Sequence, residues 1–226
     1  MNTNIPKPIL DIIKDLDIKI DNIGRSEDKV ILIENKYVLK VSKNINHLKR
    51  EYEITKLIED KIKGSKCLCF VIENNIGYYL RTYINGYSLI DDKYTNNPNL
   101  LIEALIKTVK VLRSLDKYDF SKYLSNESTG NSFIHGDLCL PNIYFDENNE
   151  FIGFIDLGDA GKGDPWVDYS WMLWSLTYNL KTDKYNSYLL NKLNIKFDEE
   201  KYNKYIPLEC KEKIKEYKEV KIWKII

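Results

Sequence analysis

Up to about Gly86 the chain alternates short apolar runs with polar breaks. "LDIKID", "KVILIENKYVLKVS", "CLCFVIE" and "GYYLRTY" are dense in Val, Ile, Leu and Tyr, and "ENK" and "ENNIG" interrupt them. Runs of this length separated by turn residues predict strands of an antiparallel sheet. One segment departs from the pattern: "HLKREYEITKLIEDKIK" spaces Leu48, Tyr52, Thr55, Ile58 and Ile62 at three- and four-residue intervals, with charges between them. That period predicts an amphipathic helix lying on the sheet.

Beyond Gly86 the period becomes helical. Asn97 and Pro98 form a start signal for "NLLIEALIKTVKVLRSLDK", in which Leu101, Ala104, Leu105, Thr108, Val111, Leu112 and Leu115 make one apolar stripe. Two short strands, "NIYF" and "FIGFID", follow, joined by the turn "DENNE", and from Trp166 the chain reads as helical to its end. The expected fold class is α+β. An N-terminal antiparallel sheet with one helix takes residues 1–84, and a mainly helical lobe takes residues 85–226.

Composition narrows the function. A chain of 226 residues with 43% hydrophobic and 30% charged residues can bury a core without disulfide or metal staples. Lys+Arg and Asp+Glu are each 34, so no bulk field draws the chain to nucleic acid or to an anionic membrane. Cys67, Cys69, Cys139 and Cys210 match neither a zinc spacing nor a disulfide framework. The opening "MNTNIPKPIL" lacks a basic segment followed by an apolar core, and no run of about eighteen apolar residues occurs. A soluble, cytoplasmic protein, monomeric or weakly dimeric, is expected.

The candidate chemistry lies in "FIHGDLCLPNIYFDENNEFIGFIDLGDAGKGDPWVDYSW", Phe133 to Trp171. Asp137 and Asn142 are five positions apart across a loop containing Pro141, and Asp156 is expected to end a strand on the far side of the hairpin. A lone Asp beside Gly is ordinarily a turn residue; the joint spacing is what makes these candidates. Asn142 and Asp156 offer one amide and one carboxylate oxygen, a donor pair suited to Mg²⁺, which keeps water and phosphate oxygens as its other ligands. Asp137 is then free to orient a hydroxyl and accept its proton. In "YVLKV", Tyr37, Leu39 and Val41 share one face, and Val38 and Lys40 the other. Lys40 is set to contact phosphate oxygens, with Glu51 on the helix eleven residues later positioned to fix its ammonium. The turn "NIGRSEDKV" supplies Ser26 and backbone N–H groups to cover phosphates, although an ordinary turn serine reads the same way. His135 is read as an anchor of the loop, and His47 as a surface residue at a helix start. Trp166, Trp171 and Trp174 are read as filling a helical core, and Cys139 as an inert thiol.

The pattern "HGDLCLPN" followed by "IDLGDAGKGDPWVD" resembles the catalytic loop and metal-binding segment of the aminoglycoside phosphotransferases and their protein-kinase-like relatives. The resemblance implies a protein-kinase-like two-lobed fold and transfer of the γ-phosphate of ATP or GTP to a hydroxyl of a small molecule. It makes Asp137 the catalytic base, Asn142 and Asp156 the Mg²⁺ ligands, Lys40 the phosphate contact and Glu51 its positioning partner. "RTYI" becomes a hinge whose backbone around Thr82 and Ile84 bonds the purine, and Asp164 and Asp168 become structural acids supporting the loop. The acceptor expected first is an aminoglycoside or related amino sugar. A metabolic kinase for choline, a sugar or a similar alcohol is the alternative, and a non-catalytic nucleotide-binding regulator is the reading from another class. Asp159 stands where antibiotic-modifying relatives tend to carry arginine, and Lys162 or Arg25 are the candidates to replace that charge. A polycationic acceptor needs carboxylates to pair its ammonium groups. Asp91, Asp92 and Asp159, with Asp116, Asp119 and Glu127, are the acids available.

Overall fold

The computed structural model describes residues 5–14, 16, 18–19, 28–125, 128–215 and 217. Ser26, Arg25, Glu127 and the C-terminal "EVKIWKII" lie outside the described residues. The chain forms two compact units. One comprises Met1–Asn85 with Asp156–Asp159, the other Gly86–Ile155 with Ala160–Ile226.

The first unit begins with α1 (Lys7–Ile12) and contains a five-stranded antiparallel sheet. Its strands are β1 (Ile18–Lys19), β2 (Lys29–Ile33), β3 (Tyr37–Ser42), β4 (Cys67–Glu73) and β5 (Ile76–Thr82), in the order β1-β2-β3-β5-β4. Two connections are tight because their central residues adopt left-handed backbone: Glu34 and Asn35 between β2 and β3 (φ 46° and 53°), and Asn74 and Asn75 between β4 and β5 (φ 51° and 59°). Such turns match the strand twist and fix the β2–β3 and β4–β5 registers, and the pairing of β3 with β5 places Lys40 opposite Tyr79 and Val38 opposite Arg81. On one face Ile31, Ile33, Leu39, Val41, Tyr78 and Leu80 pack with Ile9 of α1 and with Ile13. The other face carries Lys40 and Tyr79 and is covered by α2 (Ile45–Ile58), whose Tyr52 stacks on Phe70 and meets Tyr79 edge-on. The helix is shorter than its sequence period predicts. Ile62 lies beyond its end, Tyr52 is only half-buried, and Ile54 and Glu51 take the buried positions.

The second unit contains α3 (Asp92–Thr95), α4 (Pro98–Ser114), α5 (Trp166–Leu180), α6 (Asn186–Lys192), α7 (Glu199–Tyr205) and α8 (Leu208–Lys215). Asn97 caps α4, accepting from the Leu100 N–H as its sequence predicts, but Ile102 and Val109 are buried where Val111 is not. Strand β6 (Tyr87–Ser88) joins β8 (Ile143–Phe145) and β9 (Phe151–Phe154) in one sheet, and β7 (Ser132–Ile134) pairs with β10 (Gly161–Gly163) in another. Strand β9 stops at Phe154, so Asp156 does not end a strand as expected. It lies two residues beyond, in left-handed backbone with φ 59°, a conformation that Asp tolerates better than most residues. Of the three tryptophans expected in the helical core only Trp166 is buried. Trp171 and Trp174 pack edge-to-face on each other, and the Trp174 indole N–H donates to the Cys210 carbonyl at 2.7 Å. Among the described residues no helix is long and apolar enough to cross a membrane.

Candidate active site

In the first unit, strand alternation turns Lys40 toward α2, and the helix period turns Glu51 toward the sheet. Lys40 Nζ and Glu51 Oε2 meet at 2.9 Å, with the two residues only 8% and 3% exposed. The Asp156 carboxylate also contacts the Lys40 ammonium, and its own side chain remains about half exposed. Burial alone would lower the Lys40 pKa, but Glu51 and Asp156 outweigh it and raise the value above that of a free lysine. The ammonium is therefore kept charged and held by two carboxylates from different parts of the chain. A fixed cation of this kind can meet an anion such as a phosphate.

In the second unit, the loop His135–Asn142 is tied down from below by Asp168, the third residue of α5. The fully buried Asp168 carboxylate accepts the backbone N–H groups of His135 and Gly136, each at 2.9 Å. Burial pushes its pKa up, while the nearby His135 and these two donors oppose the shift. Gly136 has φ 87°, a left-handed turn that glycine adopts without strain and that directs the chain toward Asp137. His135 is an anchor, as expected. Its Nδ1 faces the Asp137 N–H at 3.3 Å, which leaves Nε2 to donate to the Ile155 carbonyl at 2.9 Å. Asn142 Nδ2 donates to both the backbone carbonyl and the side-chain Oδ2 of Asp137, each at 3.0 Å. Both amide hydrogens are thereby spent, and the amide oxygen of Asn142 is the group left for a cation. The Asn142 carbonyl also accepts the N–H of Ile155, the residue immediately before Asp156. Cys139 is inert, since burial and the neighbouring Asp137 push its thiol far above the ordinary range.

Among the described residues no group of three or more His, Cys, Asp or Glu side chains could hold a metal by itself. The donors present, a half-exposed carboxylate on Asp156 and an amide oxygen on Asn142, are hard oxygens. Each by itself is the kind of ligand that Mg²⁺ accepts beside phosphate and water, not one suited to zinc or another thiophilic ion.

The remaining candidates fall elsewhere. The Thr82 N–H donates to the Lys66 carbonyl and its hydroxyl accepts the Lys66 N–H, so this residue closes the β4–β5 edge. The Tyr83 N–H donates to the Lys36 carbonyl. Ile84 is buried, and among the described residues nothing bonds its backbone N–H or carbonyl. Asp91 caps α3, accepting the Lys93 N–H at 3.0 Å, and Asp92 is exposed in the first turn of that helix. Asp116 accepts the Phe133 N–H and Asp119 the Ser121 N–H. Asp164 differs from its expected role, because it binds Lys201 and Tyr205 of α7 and caps the Trp166 N–H rather than supporting the loop. Asp159 pairs with His47 of α2 at 3.4 Å, and the ring lies so close to Gly158 that a Cβ there would stand 2.1 Å from His47 Cε1. The sequence did hold a sign of this contact: His47 is four residues before Glu51 and so shares its helix face.

A family model described as the phosphotransferase enzyme family matches residues 122–205, which contain the whole loop and the Asp156 segment. A probable aminoglycoside 3'-phosphotransferase of Lactococcus lactis subsp. lactis is 28% identical in an alignment covering 80% of this chain and 84% of that protein. The segment that holds the loop and Asp156 is thus similar to the phosphotransferase enzyme family, and the chain as a whole is similar to aminoglycoside phosphotransferases. An aminoglycoside 3'-phosphotransferase of Enterococcus faecalis is 37% identical, over 41% of this chain and 34% of that protein. The fold is that of aminoglycoside phosphotransferase APH(3'')-Id from Streptomyces rimosus, which superposes with a TM-score of 0.70 over 92% of this chain and 96% of that one, at 15% identity. Other solved structures of this fold are an aminoglycoside 2'-phosphotransferase with GDP and a thermostable mutant of aminoglycoside phosphotransferase APH(4)-Ia in a ternary complex with ADP and hygromycin B. The chain thus has the protein-kinase-like fold expected from its sequence.

Proposed function

We propose that the enzyme transfers the γ-phosphate of a nucleoside triphosphate to a hydroxyl of an aminoglycoside or related amino sugar. The observation that carries the reading is the buried Lys40–Glu51 ion pair with Asp156 against the same ammonium, which supplies a fixed cation and a carboxylate where a triphosphate needs them. In this reading Lys40 binds phosphate oxygens and Glu51 holds Lys40. Asp156 and Asn142 hold the Mg²⁺, which when bound neutralises the phosphates and the charge that develops on them. Ile84 offers its N–H and carbonyl to the base, next to Thr82 at the end of β5.

Asp137 orients the acceptor hydroxyl. As the oxygen bonds to the γ-phosphorus, its proton passes to the Asp137 carboxylate, the bond to the β-phosphate oxygen breaks, and the nucleoside diphosphate leaves. Asn142 keeps the Asp137 carboxylate in one orientation through its amide, and Asp168 keeps the loop in place. Catalysis in this scheme is mostly positioning and charge neutralisation. Dependence on a nucleoside triphosphate is the argument for a cytoplasmic location.

The aminoglycoside relatives support the acceptor class. A second reading, a kinase for a smaller and less charged alcohol such as choline or a sugar, is favoured by one observation: Asp91, Asp116, Asp119 and Asp159 each already serve a group of the protein itself. Incubation of the purified enzyme with Mg²⁺, ATP or GTP, and a panel of aminoglycosides, amino sugars and small alcohols separates the two. A phosphorylated aminoglycoside is expected. Turnover only with small alcohols transfers the conclusion to the second reading, and absence of both transfer and nucleotide binding overturns the kinase assignment.

A further inference from the structure

Among the described residues, Arg81 is a buried cation without a carboxylate. It is 5% exposed, and among the described residues no Asp or Glu lies within ion-pair distance of it. Its Nη1 donates to the Thr82 carbonyl at 3.3 Å, and its Nε has no partner among the described residues. Leaving a buried donor unsatisfied is costly, and leaving a buried charge unpaired more so, so this group is suited to receive the acceptors of a ligand.

The register shows which way Arg81 faces. Gly77, Tyr79 and Arg81 alternate along β5 on one side of the sheet, and that is the α2 side, since Tyr79 packs on Tyr52 and a Cβ at Gly77 would touch Leu48. Lys40 is opposite Tyr79 and Val38 is opposite Arg81. On this face the phosphate contact and the guanidinium are therefore one cross-strand step apart, with Arg81 at the end that adjoins Thr82 and Ile84. If Lys40 meets the phosphates and Ile84 the base, as proposed above, Arg81 lies at the base.

We propose that Arg81 selects the nucleobase, making the enzyme prefer a 6-oxopurine triphosphate, GTP or ITP, over ATP. Arginine offers donors and no acceptor. The O6 and N7 acceptors of guanine or hypoxanthine match its fork, the commonest specific arginine–base pairing. The 6-amino group of adenine is itself a donor and would oppose the guanidinium. A bidentate contact of this kind discriminates by roughly 10- to 100-fold.

The test is calorimetric binding of GTP, ITP and ATP, each with Mg²⁺, to the wild-type enzyme and to Arg81→Met. The expected result is GTP and ITP at least about tenfold tighter than ATP, with the difference lost in Arg81→Met through weaker GTP and ITP binding and unweakened ATP binding. ITP isolates the 6-oxo group, because it lacks the 2-amino group of guanine. Equal or tighter wild-type binding of ATP overturns the inference and leaves the kinase reading intact, and the same holds for GTP preferred while ITP behaves as ATP does. An Arg81→Met variant that weakens all three nucleotides alike also overturns it. Wild type that binds none of them overturns both this inference and the kinase reading. The wild-type comparison decides even if Arg81→Met does not fold.

Discussion

His47 Nε2 stands 3.4 Å from Asp159 Oδ2, joining the first turn of α2 to the segment that follows Asp156, with Gly158 packed against the ring. The hydrogen bond to Asp159 raises the His47 pKa, Glu51 adds to the effect, and burial and Lys40 oppose it. A raised folded-state value means that the contact stabilises most below the unfolded pKa of about 6.5 and fades as pH rises through the folded value. Asp159→Asn should therefore lower the melting temperature more at about pH 5.5 than at about pH 8.5, with an effect under about 1 kcal/mol because the pair is partly exposed. NMR titration should find the His47 pKa above the ordinary histidine range in wild type and returned to it in the variant. An unchanged His47 pKa in Asp159→Asn would remove the contact.

Lys40 and Glu51 separate stability from function. Lys40→Met leaves the Glu51 carboxylate buried without its cation and should cost about 3–5 kcal/mol in denaturant unfolding. Adding Glu51→Leu removes the stranded charge and should recover most of that loss. Transfer should remain abolished in both variants, because neither can hold the phosphates. A double variant that regains transfer along with stability would contradict the phosphate role of Lys40.

Asp137 and Asp156 should fail in different ways. Asp137→Asn is expected to reduce transfer by about 10²–10⁴-fold while leaving nucleotide affinity nearly unchanged, since the base acts on the acceptor. Asp156→Ala should instead abolish the Mg²⁺ dependence of nucleotide binding seen by calorimetry. Full activity in the first variant, or unchanged Mg²⁺-dependent affinity in the second, refutes the corresponding role.

Asp168 makes no proposed contact with substrate, yet the loop depends on it. Asp168→Ala leaves two N–H groups, of His135 and Gly136, without an acceptor, a loss of roughly 1–3 kcal/mol each that a thermal melt should register. Asp168→Asn retains one acceptor oxygen and should lose less. Equal stability of all three proteins would mean that water replaces the carboxylate freely.

Much of this architecture is local, and local features can be read in a sequence. Strand alternation placed Lys40 on the face opposite Leu39, the Asn97-Pro98 start marked α4, and the spacing from Asp137 to Asn142 marked the loop, because each depends on the residue period or on turn and cap chemistry within a few positions. The contact between Lys40 and Glu51 was also within reach, since a strand and the helix after it have only one way to bury both apolar faces.

Tertiary structure decided what depends on neighbours distant in sequence. That β9 stops at Phe154 and Asp156 turns left-handed follows from where the ladder to β8 ends, not from the apolar run that continues through Ile155. Asp91, Asp159 and Asp164 look alike as exposed acids in a sequence, but a helix cap, a histidine on α2 and a lysine on α7 give them separate tasks. Arg81 is the clearest case. Composition makes an arginine a surface residue, yet Arg81 is buried with its Nε unmet among the described residues, because burial and hydrogen-bond satisfaction depend on packing between segments far apart in the chain.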